Sequence, residues 1–161
     1  MSRNDGQRDV VRSVLEDLRR RGETVATAES LTAGMVCAAL TDVSGASEVV
    51  RGGLIVYATE LKKRLADVPR SVLDQHGAVH PDVAERLAVG TRQRCGADWG
   101  VGLTGVAGPS AQDGVPPGVV HMGFAGPTEV TVRSEQFSGD RHDVRCAAVR
   151  AALEQLSALL R

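Results

Sequence analysis

The sequence predicts an α/β protein, a three-layer α/β/α sandwich around a mixed, mainly parallel sheet. Three observations predict it. Apolar strand-like runs alternate with helix-periodic segments through the first two thirds of the chain, the pattern of helices interleaved with strands. Two later runs, Val119 to Ala125 and Val130 to Phe137, are separated only by Gly126-Pro127-Thr128, so they read as an antiparallel pair and the sheet cannot be purely parallel. The chain then closes on a long helical stripe, Val144, Ala148, Leu153, Leu156 and Leu160. The 161 residues fit one domain, 1–161, long enough to bury a core.

Taken in order, residues 5–21 carry Val10, Val11, Val14, Leu15 and Leu18 at helical spacing, an amphipathic helix stopped near Gly22. Thr24 to Ala28 reads as a strand running into a polar elbow, Glu29-Ser30-Leu31-Thr32. A helix from about Ala33 to 42 is apolar nearly all round and is expected to be buried. Val49 to Tyr57 is a strand in which Gly52-Gly53 marks a bulge or a close approach. One helix starts near Thr59 and stops before Pro69, and a short one from Pro69 to His76 is closed by Gly77. His80-Pro81-Asp82 opens a third, running to about Cys95, with Pro81 suited to its first turn. Trp99 to Val106 is a buried strand, 110–118 a Gly/Pro loop, and 141–160 the last helix.

The totals exclude several classes. Net charge is −1, so no basic footprint argues for nucleic acid or an anionic membrane. Aromatics are 2% of the chain, too few for base-stacking platforms. Cys37, Cys95 and Cys146 are odd in number and far apart, so no disulfide framework is expected, and Cys37 and Cys146 read as buried thiols on apolar helix faces. There is neither a C-x-x-C pair nor an H-E-x-x-H motif, and no metal or other cofactor is expected. The polar N-terminus shows no signal peptide, and no apolar run approaches the roughly 20 residues that span a bilayer. The expected compartment is the cytoplasm.

Chemistry concentrates where strands become loops or helices. Four clusters stand out: Glu29-Ser30-Thr32 with Gly34, Tyr57-Glu60-Lys62, Thr104-Gly105-Gly108, and Asp140-Arg141-Arg145. Sites in α/β sheets lie beyond the carboxyl ends of strands, and three of the four are there. A serine at a helix start either caps the helix or faces backbone N–H groups that favour an anion. Ser30 with Lys62 and Tyr57 makes a nucleophile set without histidine, in which an enclosed lysine can serve as base once burial lowers its pKa. The alternative is that Lys62 is one solvated cation beside Lys63 and Arg64. Neither G-x-S-x-G, a P-loop nor G-x-G-x-x-G is present. The glycines of VGLTGVAGP permit close backbone approach to a ligand.

The stretches TAESLTAG, VYATELKKRL, HGAVHPDVA, LTGVAGP and GDRHDVR, in this order and spacing, resemble the CinA C-terminal domain family over roughly residues 8–160. Its enzymatic members are nicotinamide-mononucleotide deamidases. The resemblance implies hydrolysis of nicotinamide mononucleotide to nicotinic acid mononucleotide and ammonia. It implies Ser30 as nucleophile, with Tyr57 and Lys62 handling the proton. It places Glu29, Thr32, Gly34, Thr104, Gly105, Gly108, Arg141 and Arg145 around the nucleotide, with no metal. Leu31 stands where the family pattern has cysteine, Ala33 where it has glycine, Ala58 and Thr59 where it has serine and asparagine, His80 where it has serine, and Val115 where it often has lysine. The alternative reading is a nucleotide-binding or scaffold domain of the same family without turnover. The chain is too short to include the pyrophosphatase-like domain of two-domain members and so resembles the stand-alone form. The expected partners are the small nucleotide substrate and further copies of the chain in a homo-oligomer, without nucleic acid or membrane.

Overall fold

A computed structural model describes residues 3–161, with side chains from Asp5 onward. Helix α1 (Arg3–Arg21) leads into strand β1 (Val25–Glu29), then α2 (Met35–Thr41), β2 (Val50–Ile55), α3 (Thr59–Ala66), α4 (Arg70–His76), α5 (Pro81–Arg94), β3 (Trp99–Gly105), β4 (Val119–Ala125), β5 (Val130–Gln136) and α6 (Arg141–Leu160). The sheet order is β2-β1-β3-β4-β5. β1 pairs parallel with β2 and β3, while β4 lies antiparallel between β3 and β5. Four strands therefore point one way and only β4 runs back. The carboxyl ends of β1, β2, β3 and β5, and the start of α6, meet at one edge of the sheet.

The two faces are packed by different means. On one face, Val14 and Leu18 of α1, Leu40 of α2 and Leu153 and Leu156 of α6 close over Val101, Leu103, Val120, Met122 and Phe124. These strand residues are spaced by two, so they share a face. The residues between them on β3, Gly100 and Gly102, face α5, as does Gly123 on β4. A Cβ built on Gly102 would lie 2.5 Å from the backbone nitrogen of Ala88, and one on Gly123 would lie 2.2 Å from the Ala84 carbonyl oxygen. The glycines form a trough into which the α5 backbone sinks, which is what Gly102 of the VGLTGVAGP stretch does here. Beyond the trough, Ala28, Val56, Ala66, Val68, Val83 and Leu87 form a second cluster with α3 and α5.

Several elements depart from the sequence expectation. The bulge is present: the β1–β2 register slips between Val25 opposite Val50 and Ala26 opposite Gly52, with Gly52 at φ 139°. Helix α2 begins at Met35 and not Ala33, because Ala33 (φ 46°) and Gly34 (φ 96°) both adopt left-handed backbone. It is not buried all round: Val36 and Leu40 are inside, whereas Ala38 and Thr41 are exposed. Cys37 and Cys146 are half-buried, and all three cysteines are free thiols. No helix among the described residues is long and apolar enough to cross a membrane.

Candidate active site

A cavity of about 270 Å³ opens at the carboxyl edge of the sheet. Ser30, Tyr57, Lys62, Thr104, Gly105, Gly108 and Arg141 all line it. Three strand exits converge there, joined by the turn before α5, the 110–118 loop and Arg141 at the start of α6. The β1 exit supplies Ser30, the β2 exit and first turn of α3 supply Tyr57 and Lys62, and the β3 exit supplies residues 104–108.

Ser30 is held by its own backbone, its N–H donating to the Leu103 carbonyl at 3.1 Å and its carbonyl accepting from Ala33. Lys62 reaches back from α3 to this elbow. Its side chain is only 1% exposed, and Nζ lies 3.0 Å from Ser30 Oγ. The same amine donates to the carbonyls of Val56 at 2.8 Å and Tyr57 at 3.2 Å, so the strand exit curls around it. No carboxylate is among these partners. Burial without a counter-charge pulls the Lys62 pKa down from 10.5 to about 8. The solvated-cation reading is thereby replaced, since the amine is enclosed and bonded to the serine. Near pH 7 roughly one chain in ten then carries a neutral amine there.

Tyr57 sits differently from the expectation for a proton carrier. Its ring is 59% exposed, and its hydroxyl accepts from Arg141 Nη2 at 3.0 Å. What touches the lysine is its backbone carbonyl. Arg141 also donates from Nη1 to the Gly108 carbonyl at 2.7 Å, which sets its guanidinium across the cavity mouth. Thr104 is buried, and its hydroxyl donates to the Ala78 carbonyl at 2.7 Å, tying the β3 exit to the turn before α5. Gly105 is required by the β3–β4 crossing: a Cβ there would meet the Val119 carbonyl oxygen at 2.7 Å.

Four residues expected around the nucleotide are placed elsewhere. Glu29 is 0% exposed and faces inward, its carboxylate accepting from the hydroxyls of Thr27 (3.0 Å) and Thr32 (2.7 Å) and the N–H groups of Val36 (2.9 Å) and Cys37 (3.0 Å). The N–H groups at the start of α2, which the sequence leaves open to a cap or to an anion, are thus taken by the chain's own carboxylate. Thr32 is buried with it. Gly34 caps α2 in left-handed backbone against the Ile55 side chain, and Arg145 donates from Nε to the Leu31 carbonyl at 2.9 Å. All four shape the elbow and none lines the cavity. The start of α6 is likewise occupied, because Asp140 accepts from the N–H groups of His142 and Asp143 in a capping box. These caps hold the Asp140 carboxyl below its usual range. Of the Arg141–Arg145 pair, only Arg141 reaches the cavity.

The reading of the sequence missed Ala78, Val79, Ser110 and Gln112, which line the cavity beside Leu31, Ala58, Thr59, Val106 and Ala107. The loop 110–118 had no periodicity to place it, although its polar residues were visible. It also missed His76, His80 and Asp82, whose ligand atoms all lie within 4.8 Å of one another. The expectation of no metal takes the histidines at 76, 80, 121 and 142 to lack H-x-x-x-H spacing, yet His76 and His80 have it, across the Gly77 helix stop and not along one helix face.

Comparison with known proteins decides the family. The CinA C-terminal domain profile matches residues 7–160. The chain belongs to the CinA C-terminal domain family. A CinA-like protein of Frankia casuarinae is 44% identical over 147 residues, which is 91% of this chain and 34% of that protein. Another from Anaeromyxobacter dehalogenans is 43% identical over 98% of this chain and 39% of that protein. The chain thus spans little more than a third of these CinA relatives. Among solved structures, the competence or damage-inducible protein of Enterobacter asburiae superposes with a TM-score of 0.93 at 30% identity, covering 96% of this chain and 98% of that one. The competence/damage inducible protein CihA of Agrobacterium tumefaciens gives 0.91 at 34% identity over 96% of each.

Proposed function

We propose that this CinA-family chain hydrolyses the carboxamide of nicotinamide mononucleotide, giving nicotinic acid mononucleotide and ammonia. The observation that carries this reading is the 3.0 Å contact between Lys62 Nζ and Ser30 Oγ in the cavity. A serine hydroxyl is a weak nucleophile until a base takes its proton, and a neutral amine at hydrogen-bond distance is such a base. The substrate class comes from the family resemblance, and the guanidinium of Arg141 at the mouth suits a phosphate.

In the proposed cycle, Ser30 Oγ attacks the carboxamide carbon while Lys62 takes the hydroxyl proton. The tetrahedral adduct collapses with its C–N bond breaking, and the Lys62 ammonium returns the proton to the departing nitrogen, which leaves as ammonia. The result is an ester on Ser30. Water then adds to that ester, giving a proton to Lys62, and collapse releases the carboxylic acid as the Lys62 ammonium returns that proton to Ser30 Oγ. The substituted positions 31, 33, 80 and 115 leave the Ser30–Lys62 pair untouched. The carbonyls of Val56 and Tyr57 give the ammonium formed in each half-reaction two further acceptors.

The test is ammonia release from nicotinamide mononucleotide by the purified chain, with nicotinic acid mononucleotide identified as the coupled product. Binding of the mononucleotide without ammonia above the uncatalysed rate would favour a binding domain and overturn the hydrolase.

A further inference from the structure

We infer that His76, His80 and Asp82 form a binding site for one divalent transition-metal ion, zinc foremost, beside the cavity. The site joins the last residue of α4 to the cap and first turn of α5. His76 Nε2 lies 3.3 Å from Asp82 Oδ2, and His80 Nδ1 lies 3.8 Å from the same oxygen. A tetrahedral zinc with bonds of about 2.0–2.1 Å sets neighbouring donors roughly 3.3 Å apart. Of the three donor pairs, one is therefore at coordination spacing, one is about 0.5 Å too wide, and the two ring nitrogens lie within 4.8 Å of each other. Two imidazole nitrogens and one carboxylate oxygen are the donor set that zinc, nickel, cobalt and copper favour over magnesium or calcium. Asp82 is exposed, which leaves the fourth position to water.

Two adjustments accompany binding. The rings of His76 and His80 are stacked, 3.8 Å between centroids and 7° from parallel, so one ring must turn to bring its lone pair onto the ion. His80 Nδ1 now accepts the N–H of Asp82 at 3.2 Å, and that N–H passes to solvent. Neither change disturbs the core, because both histidines sit at its margin. The segment the ion would clamp is short and important. Ala78 and Val79, between the two histidines, are buried in the cavity wall, and the Ala78 carbonyl receives the Thr104 hydroxyl. A bound ion would staple α4 to α5 across this turn and fix that wall.

The test is calorimetric titration of the purified full chain with Zn²⁺. One ion per chain is expected, with binding weakened at least about tenfold in both His76→Gln and His80→Ser. Serine is a good helix cap, so His80→Ser keeps α5 intact. A cysteine site is separated by Cys146→Ser, in which zinc binding is expected to be unchanged. Should a histidine variant fail to fold, Ni²⁺ added to the wild-type chain is expected to broaden the imidazole NMR signals of His76 and His80 first. Absence of stoichiometric binding, binding unaltered by both histidine substitutions, loss of binding on Cys146→Ser, or Ni²⁺ broadening that spares these two rings would overturn the site.

Discussion

On the Ser30 side of the cavity the polar side chains are buried, whereas on the Arg141 side they stand in solvent. Lys62 is fixed by two carbonyls and the serine, and Thr104 by the Ala78 carbonyl. Tyr57 and Arg141 meet each other at the mouth and have few other constraints. The buried side is pre-set for bond-making, where a misplacement of an ångström is costly. The exposed side can adapt to a ligand, and water screens its charges. Substitutions on the first side should therefore act on turnover and on the second side on affinity.

The largest expected effect is that of Ser30→Ala. It should lower kcat for deamidation by at least about a thousandfold, with mononucleotide affinity and melting temperature little changed. Turnover within tenfold of wild type, followed as ammonia release, would remove Ser30 as nucleophile. Next comes Lys62, for which Lys62→Ala should cost about 10²–10⁴ in kcat. Lys62→Arg should be nearly as damaging, since guanidinium does not accept the proton. In wild type, kcat/KM should fall on the acid side with an apparent pKa near the amine's value of about 8. An active arginine variant, or a profile flat across pH 7–9, would leave Lys62 a purely electrostatic role.

Lys62 also offers a readout in stability. A buried ammonium with a depressed pKa destabilises the fold while it is charged in both states, that is, below about pH 8. Between pH 8 and 10.5 the unfolded chain holds the proton and the folded chain does not, so stability rises through that window. Lys62→Met should accordingly be more stable than wild type by about 1–3 kcal/mol at pH 7, with the difference shrinking as the pH approaches 10.5. Thermal unfolding of both proteins at pH 7 and 10 checks this, and a less stable methionine variant at pH 7 would contradict the buried-charge account.

On the exposed side, Arg141→Ala should raise KM for the mononucleotide about ten- to a hundredfold, the worth of a charge-assisted bond to phosphate. The same change should matter far less for nicotinamide riboside, which lacks the phosphate. Equal losses on both substrates would place Arg141 in the chemistry or the fold. The smallest effect belongs to Tyr57→Phe, which removes only the hydroxyl that steadies Arg141. It should raise KM by less than about tenfold and leave kcat near wild type. A collapse of kcat would return Tyr57 to proton transfer and blur the contrast between the two sides.

The fold was legible because its elements are strongly patterned: a short apolar run for β3, two runs split by Gly126-Pro127-Thr128 for β4 and β5, a long apolar stripe for α6, Pro81 and Gly77 at helix boundaries. Ser30, Lys62 and Arg141 were legible through motif spacing. Glu29 was not, since a carboxylate beside a serine in a site motif reads from sequence as a ligand contact. Only the folded chain shows the Thr27 and Thr32 hydroxyls and the α2 N–H groups turned onto it. The same holds for Gly102, whose freedom from a side chain looks identical whether a ligand or a helix approaches. The His76–His80–Asp82 cluster needed the turn at Gly77 to bring its members together, and no helical or strand period predicts that.

The glycine trough beneath α5 has a consequence for how this sequence can drift. Most surfaces of a protein absorb a methyl group at little cost, and the outer face of α2 around Ala38 is such a surface. At Gly100, Gly102 and Gly123 there is no room for the smallest side chain, because the neighbour is helix backbone and cannot swing aside. An alanine at any of them would lift α5 from the sheet as a unit. The displacement would travel along the helix to its first turn, where His80 and the buried wall residues Ala78 and Val79 border the cavity. Random mutagenesis selected on turnover should therefore leave three silent-looking glycines, far from the serine, as invariant as the serine itself.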